Sequence, residues 1–180
     1  GQLEQVIERI YSRSYELWIR AFERRPKVKF TGHFTGPLLE WIVERHPEYV
    51  EKIRKFVERG QLEIIGGAYY EPILPMIPDD DKVAQIQLFS RFLEKTFGLR
   101  PLGCWLPERV WEPHLPKPLA EAGVKYVLID DYHLRRAGYM EEETFYPHIT
   151  EDQSRQVVVF PINEPLGYML PSESLKRTID

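Results

Sequence analysis

Residues 102–111 read Leu102-Gly-Cys-Trp-Leu-Pro-Glu-Arg-Val-Trp111, five mostly apolar residues that stop at Pro107 and give way to charge. An apolar run of this length, closed by a turn residue, predicts a strand over Leu102–Leu106 with both faces covered, because a strand with one wet face would alternate. Three similar runs flank it: Lys27–Phe34 and Leu62–Gly66 before it, and Lys125–Ile129 after it, the last rich in β-branched residues. Helical periodicity fills the gaps. Leu38–Arg45 and Glu48–Arg59 are split by His46-Pro47 and stopped at Gly60, about Asp81–Phe97 follows with Asp79 or Asp80 as its cap, and Leu115–Ala122 makes a short helix. Strands that alternate with helices and read as apolar runs predict an α/β fold with parallel strands and flanking helices. A doubly wound nucleotide fold would carry a glycine-rich fingerprint after a strand; neither G-x-G-x-x-G nor G-x-x-x-x-G-K occurs, so a β/α barrel is favoured. Phe145–Ile149 and Gln156–Pro161, separated by the polar turn Glu151–Arg155, read as a hairpin inserted on this framework.

Composition narrows the function classes. The 180 residues form one domain with room for a substantial core, and 43% hydrophobic with 29% charged residues is an ordinary globular balance, which excludes disordered and collagen-like classes. Apolar runs are strand-sized, so a membrane span is not expected. Asp and Glu number 28 against 24 Lys and Arg, which offers no basic stripe to a nucleic acid. A lone cysteine, Cys104, has no internal disulfide partner and suits a reducing, cytoplasmic setting. The first residues open inside an amphipathic pattern (Leu3, Val6, Ile7, Ile10, Tyr11) without a methionine, and the last, from Pro171, begin another helix; the chain is expected to be a piece of a longer one. Tyr15, Trp18 and Phe22 form the apolar stripe of the first helix.

In a β/α barrel, chemistry collects at the carboxyl ends of the strands. Here those positions are His33, Tyr69 to Glu71, Trp105 to Glu108, and Asp130 to His133. Glu108 stands between Trp105 and Trp111, and a carboxylate beside aromatic rings suits sugar chemistry, since a ring face covers a pyranose while the carboxylate meets the anomeric carbon. Two plainer roles stay open for it, capping the next helix or pairing with Arg109. Gly66 and Gly67 allow a close approach at the end of their strand. Glu71 beyond them either faces the barrel mouth or caps a loop, and Glu63 within the strand is either a site residue or a satisfied polar group. The five histidines are scattered, with no paired His or Cys spacing, so no metal and no cofactor is expected. His133 after Asp130-Asp131 keeps a metal-dependent polysaccharide deacetylase as an alternative.

Gly60-Gln-Leu-Glu63, Tyr70-Glu-Pro72 and Trp105-Leu-Pro-Glu108-Arg-Val-Trp111 resemble the second and third conserved regions of glycoside hydrolase family 57. The similarity extends through Phe34–Trp41, Tyr126–His133, Phe160–Ile162 and Pro165–Pro171, which look like connecting segments of its 4-α-glucanotransferase and α-amylase members. The resemblance implies an incomplete, distorted (β/α)7 barrel and retaining glycosyl transfer on α-1,4-glucans without a metal. It assigns Glu108 as nucleophile, Trp105 as the aromatic beside the sugar and Glu63 as a substrate-contacting carboxylate. His33 and Glu71 join as substrate-binding residues on their strand-end positions alone. The family's first region would precede Gly1, and the fourth, with the acid–base aspartate, would follow Asp180. This stretch by itself is therefore expected to be inactive. A non-catalytic glucan-binding relative is the other alternative.

Overall fold

In the computed structural model, which describes residues 2–169, six strands form one sheet in the order β1-β2-β3-β4-β6-β5. They are β1 (Phe30–His33), β2 (Leu62–Gly67), β3 (Gly103–Trp105), β4 (Tyr126–Asp130), β5 (His148–Asp152) and β6 (Arg155–Ile162). The helices are α1 (Gln2–Ile10), α2 (Glu16–Glu23), α3 (Gly36–Arg45), α4 (Pro47–Glu58), α5 (Asp79–Phe97), α6 (Pro116–Glu121), α7 (Asp131–Arg136) and α8 (Glu164–Met169). β2, β3, β4 and β6 run parallel, and β5 is antiparallel to β6. The alternation read in the sequence is thus the observed α/β order, and the helix expected from Pro171 lies outside the described residues.

Two compact units divide the chain, Gly1–Gly32 with Leu38–Ile64 and His33–Pro37 with Ile65–Asp180. In the first, a π-helical turn over Tyr11–Tyr15 joins α1 to α2. Ile19, Ile42, Ile53 and Phe56 are buried there. Trp18 meets Phe22, Phe30 and Phe56 edge-on at ring distances of 5.1, 4.9 and 6.2 Å. The stripe of Tyr15, Trp18 and Phe22 is only half-buried, and Ile19 is the side chain that goes fully inside.

In the second unit, Cys104, Val127, Ile129, Val157 and Val159 from the sheet, with Ala68 and Leu106 just beyond β2 and β3, pack with Leu74, Ile86, Leu115 and Leu119. Gly103 matters to this packing, because a Cβ there would stand 2.3 Å from the Tyr126 ring on the neighbouring strand. Burial pushes the Cys104 thiol up to about 12, so it is a packing residue and not a nucleophile.

Two local expectations are corrected. The hairpin is not an insertion: β6 pairs with β4 over five positions, Tyr126↔Val158 to Asp130↔Ile162, so it is a main strand and β5 alone is appended. Burial of Val157 and Val159 in the core decides this, a long-range gain that a local hairpin pattern does not report. α5 begins at Asp79, with Pro78 in the cap position and no side-chain cap bond. Asp79 instead accepts a 2.7 Å hydrogen bond from Lys82, which holds its carboxyl below the usual range. Beyond β4, Asp131–Arg136 is a short helix, fixed by Asp131, 2% exposed, accepting two bonds from Arg135 at 2.8 and 3.0 Å.

Candidate active site at the strand ends

The chain leaves β3 through an unusual turn. Glu108 has φ 53° and ψ 13°, and Arg109 has φ 52°, two successive left-handed residues neither of which is glycine. Each such conformation costs on the order of 1 kcal/mol and persists only where the surroundings fix it. They are fixed here: the Arg109 amide donates to the Leu106 carbonyl at 2.8 Å, and the Arg109 Nε donates to Asp130 Oδ1 at 2.7 Å, at the end of the adjacent parallel strand β4. The turn leaves the Glu108 side chain exposed, with no hydrogen bond or ion pair among the described residues. Of its two plainer roles, capping is not observed, and the salt bridge of Arg109 goes to Asp130.

Trp105, Arg109, Asp130, Ile162, Glu164 and Gly167 line a hollow of about 230 Å³. Glu108, three residues after Trp105, is not part of its wall. The other Trp105 neighbour is His33 of β1, whose ring stacks at 6.1 Å with 25° between planes. His33 Nδ1 lies 3.3 Å from the Ile65 carbonyl oxygen and Nε2 lies 2.8 Å from Glu71 Oε1. His33, expected among the substrate-binding residues, thus has both of its ring nitrogens beside protein oxygens. Glu71, at φ 53°, is a third left-handed residue, and its side chain is 30% exposed beside the His33 ring.

Of the residues singled out in the sequence, the structure therefore brings His33, Glu71 and Trp105 into one cluster and sets Glu108 on the turn that follows. Glu63 is the second residue of β2, exposed, and belongs to the first unit. Asp130 and Asp131 are both held in ion pairs with arginines. Sequence reading missed the Arg109–Asp130 pair. The signal was present, since two consecutive parallel strands place the residues beyond their carboxyl ends side by side. Among the described residues no group of three or more His, Cys, Asp or Glu side chains is placed to hold a metal, and no helix is long and apolar enough to cross a membrane.

Against known families, residues 1–175 match the model of glycosyl hydrolase family 57. The chain belongs to that family. Two family 57 relatives show how closely. A 4-alpha-glucanotransferase of Thermococcus litoralis is 44% identical over 180 residues, all of this chain and 27% of its own length. Alpha-amylase 1 of Dictyoglomus thermophilum is 46% identical over 179 residues, 99% of this chain and 26% of its own. The crystal structure of the Thermococcus litoralis 4-alpha-glucanotransferase superposes with a TM-score of 0.90, covering 97% of this chain and 28% of that one. This chain thus spans about a quarter of the length of these relatives, and its open, mostly parallel sheet is part of the family 57 β/α barrel.

Proposed function

We propose that this chain supplies the nucleophile side of a retaining glycoside hydrolase or transferase acting on α-1,4-glucans, with Glu108 as the attacking carboxylate. What carries the reading is the Glu108 turn: an exposed carboxylate with no partner among the described residues is held at the end of a barrel strand by a left-handed backbone. Strain kept at one carboxylate beside a tryptophan is what a preorganised nucleophile requires. Family membership and relatives named for glucan transfer and amylase activity support the substrate class. In the first step a Glu108 oxygen bonds to the anomeric carbon as the bond to the leaving oxygen breaks and that oxygen takes a proton from a second carboxyl; water or a glucan hydroxyl then takes the sugar. In this reading Trp105 offers its ring to the sugar, and Glu71 accepts from a sugar hydroxyl through the oxygen not bonded to His33. No metal takes part in these steps, and no observation favours the deacetylase alternative over them.

The test is chemical rescue in the full-length protein. Glu108→Gly opens a space for azide, and with an activated α-glucosyl donor the azide should restore turnover and yield the inverted β-glucosyl azide. A retained product would make Glu108 the acid–base residue and overturn the assignment. Trp105→Ala, in turn, should raise KM for maltooligosaccharides by about tenfold or more, the equivalent of a lost ring-face contact of roughly 1.4 kcal/mol. Unchanged kinetics would return Trp105 to a packing role.

A further inference from the structure

Three features converge on the His33 ring. Gly67 lacks the Cβ that would stand 2.9 Å from His33 Cε1, so β2 is cut away where the imidazole lies. Glu71 takes up a left-handed backbone, and its carboxylate meets Nε2 at 2.8 Å. Ile65, on the same strand as Gly67, turns its carbonyl to Nδ1 at 3.3 Å. The ring so clamped is 14% exposed, its edge meets Phe89 at 6.0 Å, and its face stacks on Trp105. Nothing polar remains on it for a ligand. A flat group fixed at both nitrogens and laid along an indole that lines a hollow has one evident use, which is to set the plane of that indole.

We propose that His33, clamped by Glu71 and the Ile65 carbonyl, is a positioning residue that fixes the orientation of the Trp105 ring. The functional consequence rests on reading Trp105 as the sugar platform, but the positioning itself does not. A free tryptophan side chain must be ordered when a sugar lands on it, and a pre-set ring avoids that entropic cost at the moment of binding.

The experiment uses the full-length protein labelled with 5-fluorotryptophan, with the Trp105 resonance assigned by Trp105→Phe. Glu71→Gln leaves the imidazole in place and weakens one clamp; it should broaden or split the Trp105 fluorine line while the lines of Trp18, Trp41 and Trp111 stay put, which also reports that the fold is intact. A Trp105 line identical to wild type overturns the proposal. Kinetics on maltooligosaccharide supply the second arm. His33→Ala should cost about tenfold in kcat/KM in the native background and almost nothing in Trp105→Ala, since a residue acting through Trp105 loses its lever when Trp105 is gone. Equal losses in both backgrounds would sink it, and His33→Asn repeats the cycle if the alanine variant folds poorly. Should the fluorine line respond while Trp105→Ala leaves kinetics at wild type, the positioning stands and the sugar-platform reading of Trp105 fails.

Discussion

Glu108→Gln in the full-length protein is expected to lower kcat by several orders of magnitude while glucan binding and thermal stability stay close to wild type. The substitution keeps the shape of the side chain and removes the negative oxygen that must bond to the anomeric carbon, so the first displacement loses its nucleophile and little else. Structure makes the outcome readable. The Glu108 side chain is exposed and has no partner among the described residues, so its amide leaves no buried group unsatisfied and breaks no ion pair. The Arg109–Asp130 bond that helps fix the turn is untouched. A structural role would give the opposite pattern, with a stability loss of roughly 1 kcal/mol or less and turnover nearly intact. Measured kcat, KM and a melting curve for one variant separate the two, since loss of a transition-state interaction appears in kcat and uniform binding loss appears in KM.

Phe89→Ala should be the most damaging single truncation around the site, at about 3–5 kcal/mol. Phe89 is 0% exposed in α5, and its ring meets both His33 and Tyr69 edge-on at 6.0 Å. The helix it belongs to is held at both ends, by Lys82 bonded to the Ile77 carbonyl and Asp79 at the start and by Gly98 at φ 71° at the finish. A helix so fixed cannot slide to fill the space left by a ring, which puts the cost near the upper part of the range. Leu88→Ala, one residue earlier and 40% exposed, is the control and should stay within about 1 kcal/mol. Urea denaturation of the two variants checks the contrast. Equal midpoints would mean that the α5 face does not anchor the strand ends beneath His33.

What the sequence by itself determined is local. Apolar runs and helical periodicity set the order of strands and helices, because both patterns are properties of neighbouring residues along the chain, and the strand-end rule then drew attention to His33, Glu71, Trp105 and Glu108 without any contact being known. The motif around Glu108 likewise carried the family. What only the tertiary structure decided is pairing across distance. His33 and Glu71 lie 38 positions apart, and Arg109 and Asp130 lie 21 apart. No periodicity encodes which strand end will face which, since that depends on the parallel registers of β2 with β3 and of β3 with β4. Membership of β6 in the main sheet was hidden for the same reason: its hairpin with β5 is local and visible, while its pairing with β4 is bought by burying Val157 and Val159. The left-handed backbone of Glu71, Glu108 and Arg109 was also beyond sequence reading, because ordinary side chains disfavour that conformation and only long-range bonds such as Arg109 to Asp130 make it the stable one.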